Sequence, residues 1–334
     1  MSTTRETAAE CKDRKNLGTS IQRFITGEET GGLVVLVMVL LLTFIMVGPS
    51  FFDSYNIFST FRQFSFIGIA ALGEVLVLLI GGIDLSIGAV ASMCGIVAAW
   101  FMANTGLDPT WALAIGILTG VLAGFINGIL ITKVKINPFI VTLGAMQIYF
   151  SVNMIITKGW PITKLNEDIL WIGQGSMGEL FPTTTIFLFL LVLLLEFTLR
   201  YTTLGRKLYC LGNSEKASLL CGVSVNRTKI LAYTLSGVLA SIAGITSMAR
   251  LNSGQPTAGV GWEMQAIAAV IIGGGSMAGG SGSAVGTLIG AAVLGIVAQD
   301  IVLLSVSPFW QRVVLGLVVI GAVIFDQVRK KFRK

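Results

Sequence analysis

The sequence predicts an all-α, polytopic helical membrane protein with about ten transmembrane segments. Three observations predict it. Hydrophobic residues make up 54% of the 334, mean hydropathy is +0.84 and only 12% of residues are charged, against about 25% in a soluble domain. The apolar residues gather into runs near the ~20 residues that a helix needs to cross a bilayer, where each backbone polar group must be satisfied within its own segment. The 40 glycines suit positions where membrane helices approach closely or break.

The runs fall at 31–49, 64–81, 86–104, 111–132, 138–157, 183–199, 230–249, 264–280, 283–303 and 310–326. Gly81-Gly82-Ile83-Asp84 and Gly279–Gly282 separate their neighbours by very little, so some segments are expected to be broken or re-entrant. Orientation follows the placement of Lys and Arg. With ten spans and a cytoplasmic N-terminus, the inward parts hold 18 of the 23 basic residues: five in 1–30, two in 133–137, six in 200–229 and five in 327–334. Both termini and the loop 200–229 are therefore expected in the cytoplasm. The chain divides into an N-terminal segment 1–30, a transmembrane domain 31–326 containing that loop, and a basic tail 327–334. Arg62, Arg250 and Arg312 fall on the outward side. Residues 1–30 lack the apolar core and cleavage site of a signal peptide, so the first run is expected to be an uncleaved anchor. Five spans on each side of loop 158–182 would invert the second half relative to the first. The Gly-rich turns at 81–86 and 273–286 give this no clean support, because both fall on the cytoplasmic side.

Composition excludes several chemistries. There is no histidine, so His-based triads, zinc sites and haem ligation are absent, and no metal site is expected. Cys11, Cys94, Cys210 and Cys221 make no CxxC pair and are expected as free thiols. No GxxxxGK[ST] phosphate loop is present, and the Gly-rich run 273–282 lacks its basic residue. No cofactor is therefore expected on the chain, and ATP chemistry, if used, belongs to another polypeptide. The net charge of +6 lies in short loops and tails, which speaks against nucleic acid and for the lipid bilayer as partner.

The largest polar island is RYTTLGRKLYCLGNSEKASLLCGVSVNRTK, from Arg200 to Lys229, with six basic residues and one acid, Glu215. Residues 213–221 read as a short amphipathic helix. Asn213 or Ser214 caps it, Glu215 favours the positive end of its dipole, and Gly222 ends it in a left-handed turn. A docking element and an ordinary interfacial loop both fit this pattern.

The run Gly205–Ile230 resembles the cytoplasmic coupling segment of bacterial ABC importer permeases of the ribose, xylose, arabinose and galactose type, in the branched-chain amino acid/ribose permease superfamily. Gly81–Ser92, Ala249–Val270 and Ile272–Gly290 resemble the same family in order and spacing, so the likeness runs from about residue 30 to 328. The resemblance implies a cytoplasmic ATPase partner carrying ATP and Mg, a periplasmic or surface sugar-binding protein, and a second permease copy. It places Gly212, Asn213, Glu215, Ala217 and Gly222 in the ATPase-contacting segment. Caps and close packing are structural roles open to the same residues.

Polar residues inside the apolar runs are the candidate pathway or gate. Glu74 lies mid-segment, where a charge costs about 2.5–3.5 kcal/mol on insertion scales and so faces a bundle interior or wet cavity. A pathway carboxylate and a buried structural hydrogen bond are its two readings. Asp84 reads first as a cap for the next helix, with Ser86 assisting. Asn127 suits a sugar hydroxyl or interhelical glue. Gln255 and Pro256 belong to an outward loop, Asn252–Trp262, followed by Glu263 at the water interface; the segment reads either as an outer gate or contact with the binding protein, or as an irregular loop anchored by Trp262. Glu196, four residues before Arg200, suggests a helical ion pair. An autoinducer or other sugar-like cargo is the alternative within this class. An ion-coupled secondary transporter would have Glu74 as its one mid-membrane acid, and an intramembrane enzyme lacks the residues it would need.

Overall fold

The computed structural model describes residues 30–163, 165–178 and 180–307, with scattered positions between 310 and 321. The segment expected over 1–30 (all but its last residue), the tail 327–334 and most of the tenth apolar run lie outside the described residues. The helices are α1 (Thr30–Met46), α2 (Ser54–Leu79), α3 (Ile87–Thr105), α4 (Pro109–Thr132), α5 (Pro138–Thr157), α6 (Leu170–Gln174), α7 (Thr183–Tyr201), α8 (Thr203–Asn213), α9 (Glu215–Leu220), α10 (Val225–Leu251), α11 (Trp262–Ile272) and α12 (Ala284–Leu303). Among the described residues, seven helices are long and apolar enough to cross a membrane; α1 and α11 are apolar but shorter. One two-residue hairpin, Ser176–Met177 with Phe181–Pro182, lies in the loop between α5 and α7.

Local chemistry sets the helix ends. Asp108 and Asn137 accept from the N–H two residues on, and each is followed by Pro at the first helical position, where a missing N–H costs nothing. Gly106 ends α3 at φ +65°, a left-handed turn that glycine adopts without strain.

The core is built around α10, which packs on α2, α3 and α4. Gly116, Gly120, Gly124 and Gly128 recur every four residues along one face of α4 and lie against Ile245, Gly237, Tyr233 and Ile230 respectively. The pairing order makes α4 and α10 antiparallel. A Cβ on Gly124 would stand 2.2 Å from the Tyr233 carbonyl oxygen, and one on Gly237 2.1 Å from that of Gly120. Backbone-to-backbone packing of this kind is how helices associate where lipid removes the hydrophobic drive. The other sides of α5 and α7 expose Ile148, Ile155, Leu190 and Leu193, as lipid-facing surfaces do.

Two expected segments are corrected. The run expected to begin at 64 starts at Ser54, so Arg62 lies within α2 instead of preceding it. Thr60 and Ser65 return their hydroxyls to the carbonyls of Asn56 and Phe61, which lets a polar-looking stretch continue the helix. The run expected over 264–280 stops at Ile272, and 273–283 is a turn with Gly274, Gly279, Gly280 and Gly282 at positive φ.

Candidate functional site

At one end of the bundle, called here the basic end, the polar island forms two helices instead of the single one expected over 213–221. Thr202 caps α8, Ser214 caps α9 with Oγ accepting from the Ala217 N–H at 3.2 Å, and Gly222 closes α9 at φ +78°. Asn213 is not the cap; it is the last residue of α8 and donates its amide to the Tyr209 carbonyl. Ser214 wins because its extended backbone (φ −162°) breaks the helix there. Glu215 accepts from Lys229 Nζ at 2.8 Å, tying α9 back to α10. The outer face of α9 is exposed on the described chain: Leu219 is 57% and Leu220 90% exposed.

The inner face of α8 seats on the membrane domain at Gly212. A Cβ there would lie 1.9 Å from the Leu79 carbonyl oxygen and 2.4 Å from the Gly280 nitrogen. The Gly280 N–H itself donates to Leu79 O at 2.9 Å. Tyr209 Oη donates to the Gly282 carbonyl at 2.6 Å. The end of α2, the turn 273–283 and α8 thus meet at one point.

Glu74, Asp84 and Asn127, far apart in sequence, converge in the interior. Beyond Leu79 the chain turns back, and the Asp84 N–H donates to Glu74 Oε1 at 3.1 Å. Asp84 Oδ1 accepts from the Ser86 N–H and hydroxyl, and Oδ2 from Ser236 Oγ at 3.2 Å. Asn127 Nδ2 donates to Ser86 Oγ at 2.9 Å. Glu74 and Asn127 are fully buried, and Glu74 Oε2, Asn127 Oδ1 and Tyr233 Oη have no hydrogen-bond partner among the described residues. The expected cap is corrected in part: within the start of α3, Asp84 takes the Ser86 N–H and hydroxyl, and Ser86 occupies the N-cap position without a side-chain cap bond of its own. These three residues therefore knit α2, α3, α4 and α10 together. Ser236 and Tyr233 were not singled out from sequence; hydroxyls inside apolar helices were the available signal.

Glu263 lies in the first turn of α11, and Gln255 and Pro256 belong to a second non-helical stretch, 252–261, between α10 and α11. It begins at the opposite end of the bundle, where Gly254 pairs with Ile162 and Gln174 donates to the Arg250 carbonyl, and dips inward. The Gly259 N–H donates to Ser92 Oγ at 2.8 Å, and Gly88 and Gly259 touch backbone to backbone. Gln255 Nε2 reaches Ser253 Oγ at 3.4 Å, and with Ser92, Ser247 and Trp262 it lines a space of about 10 Å³, enough for a single water. Pro256 is buried. Glu263 opens α11, with Oε2 buried and unpartnered beside Gly88. A separate cavity of about 170 Å³ lies against Gln63, Phe66, Val260, Trp262 and Gln265. Phe66 stacks on Trp262 with ring centroids 5.1 Å apart, and the Arg250 guanidinium sits over the Phe66 ring at 5.1 Å from its centroid. Gln255 and Glu263 do not touch the Glu74 cluster; α3 joins the two places.

Glu196 does more than the expected ion pair. Oε1 accepts from Arg200 Nε, while Oε2 accepts from the Ala284 and Val285 N–H groups at 2.9 and 3.3 Å. Cys94, Cys210 and Cys221 are free thiols, as expected.

A polytopic helical bundle, with broken helices meeting in its interior and a short exposed helix pair at one end, is the architecture of a membrane permease. Over residues 56–323 the chain matches the family described as branched-chain amino acid transport system / permease component, and it belongs to that family. It is 40% identical over 302 residues to the ribose import permease protein RbsC of Bacillus subtilis strain 168, covering 90% of this chain and 91% of that one. It is 34% identical over 325 residues to the fructose import permease protein FrcC of Rhizobium meliloti, covering 95% and 90%. The D-allose transport system permease protein AlsC of Escherichia coli K12 is 33% identical over 302 residues, covering 90% and 92%. No solved structure matches. The chain is an ABC importer permease subunit, a transport component and not an enzyme, and importers of this family work with a separate ATPase and a substrate-binding protein.

Proposed function

We propose that this permease carries a monosaccharide, a ribose-type pentose or a hexose, delivered by a periplasmic or surface sugar-binding protein and driven by a cytoplasmic ABC ATPase. Two copies face each other across the bacterial cytoplasmic membrane, each with ten spans and both termini inside. The observation that carries the cargo reading is the identity of 33–40% over about 90% of the chain to permeases for ribose and allose. The basic end is the cytoplasmic one, in keeping with the Lys and Arg placement.

The α8–α9 pair, with Gly212, Asn213, Glu215, Ala217 and Gly222, is the ATPase-coupling segment. Its support is physical: α9 leaves Leu219 and Leu220 exposed, beside a rigid seat at Gly212. Glu74, Asp84 and Asn127 form the interior hinge of the pathway, and Gln255, Pro256 and Glu263 its outer gate. ATP binding draws the two ATPases together, α8–α9 move with them, and the path alternates its access.

The test is uptake of radiolabelled ribose, allose and fructose by proteoliposomes holding the complete transporter. ATP-dependent uptake of at least one sugar is expected, with replacement of Glu215 or Gly222 uncoupling it from hydrolysis. Uptake that collapses with the proton gradient while ATP is held constant would make the protein a secondary transporter instead. Calorimetry of the binding protein against pentoses and hexoses identifies the sugar.

A further inference from the structure

We propose that Glu196 is a positioning residue for transport: it clamps the start of α12 to α7, so that α12 is the helix driven by the coupling segment. The proposal rests on the reading of α8–α9 as that segment. The first N–H groups of a helix have no partner within it. In α12 three of them are satisfied by side chains, and in two different ways. Ser283, the cap residue, takes the Gly286 N–H at 2.9 Å. The Ala284 and Val285 N–H groups instead go to Glu196 Oε2, a carboxylate from 88 residues earlier in the chain. A negative group at this position also complements the helix dipole.

The placement makes the bond mechanical. Glu196 stands one turn before the end of α7, and α7 continues through Thr202 directly into α8. Its side chain is 14% exposed, and its other oxygen holds Arg200. On the next element, Tyr209 Oη grips the Gly282 carbonyl at 2.6 Å. The residues from Gly282 to Val285 are therefore held at both ends of the α7–α8 junction. A displacement of α8 is passed to the first turn of α12 through these contacts, while Gly212 and the Gly280–Leu79 hydrogen bond keep the preceding turn 273–283 seated against α8 and the end of α2. α12 in turn packs on α1, α2 and α11, with Gly286 against Gly273 backbone to backbone.

A carboxylate is not required for folding as such: Gln keeps a carbonyl oxygen for the two N–H groups, whereas Ala removes it. The experiment uses the assembled transporter with spin labels at two positions in a background lacking Cys11, Cys94, Cys210 and Cys221. Lys216→Cys reports on α9 and Val302→Cys, exposed at the far end of α12, reports on the output. ATP is expected to move both reporters in the parent protein. In Glu196→Ala the α9 shift persists, the α12 shift is lost, and uptake of radiolabelled ribose per ATP hydrolysed falls about tenfold or more, as the loss of two charge-assisted hydrogen bonds implies. Glu196→Gln retains both shifts. Tyr209→Phe, which removes the hydroxyl that grips Gly282, weakens the α12 shift and serves where Glu196→Ala does not assemble. An α12 shift at the parent level in either Glu196→Ala or Tyr209→Phe overturns the proposal. Reporters that stay still in the parent protein overturn the coupling reading beneath it, a separate result.

Discussion

Gly212 offers the sharpest test of how α8 is seated. An added Cβ would lie 1.9 Å from Leu79 O and 2.4 Å from Gly280 N, both backbone atoms that cannot swing aside, where ordinary contact begins at 3.4 Å. Gly212→Ala therefore forces α8 away from α2 by about 1.5 Å, or breaks the Gly280–Leu79 hydrogen bond; overpacking of this kind costs about 1–3 kcal/mol. If that energy falls on the coupled state, ATP-dependent uptake drops by about tenfold, at roughly 1.4 kcal/mol per decade, while basal ATP hydrolysis by the assembled complex is retained. The comparison variant is Gly222→Ala. Nothing lies within 4 Å of that position, but φ is +78°, so its cost is a backbone strain of about 1–2 kcal/mol. Gly222→Asn should recover most of the loss, since Asn enters the left-handed region more readily, whereas Gly212→Asn should be worse than Gly212→Ala. Wild-type uptake in Gly212→Ala, with intact assembly, would falsify the seating argument.

Further outcomes follow from the same geometry. Gly124→Val in the α4 stripe meets the Tyr233 carbonyl at 2.2 Å and should lower the yield of folded protein in a detergent thermal-stability assay more than Gly144→Val, where no neighbour stands within 4 Å. Ser214→Ala removes the α9 cap and should cost about 1 kcal/mol, read as faster proteolysis within residues 213–222. Lys229→Ala breaks a pair in which Glu215 is 54% exposed; such pairs are worth about 0–1 kcal/mol, so thermal stability should barely change. Glu74→Gln keeps an acceptor for the Asp84 N–H and should leave stability near the parent's, whereas Glu74→Ala strands that buried N–H at about 1–3 kcal/mol.

The sequence carried the class of fold well, because twenty-residue apolar runs are averages over many residues. It carried helix ends less well. Ser54–Gln63 looks too polar for a span, yet Thr60 and Ser65 satisfy their hydroxyls within the helix. In the island, Ser214 and Gly222 were readable as a cap and a stop, but the break between α8 and α9 was not, since Asn213 and Ser214 both suit a cap and only the backbone chooses. Glu74, Asp84 and Asn127 were each visible as polar residues in apolar runs. Their meeting was invisible, because it depends on the chain turning back after Leu79. The second role of Glu196 was hidden for the same reason: an i,i+4 neighbour is written in the sequence, and a helix start 88 residues away is not.

The two non-helical stretches also revise the comparison of the halves. The turn 273–283 is the wrong counterpart for 80–86. The stretch 252–261 is the better one, for three reasons. Each follows a long buried helix, α2 with 26 residues and α10 with 27. Each turns back into the bundle, shown by Asp84 on Glu74 in one case and Gly259 on Ser92 in the other. They enter from opposite ends, because α2 reaches its break beside α8 and α10 reaches its break beside Ile162. Helix–break–helix units running in opposite senses are the arrangement that places broken helices at mid-membrane. Here the two units touch at Gly88 and Gly259, where a Cβ on either would stand about 2 Å from the other's carbonyl oxygen. With no side chain between them to absorb a shift, displacement of the 80–86 break on one side must be answered by 252–261 on the other. That contact gives the stretch 252–261 a physical means of responding to what happens at Leu79.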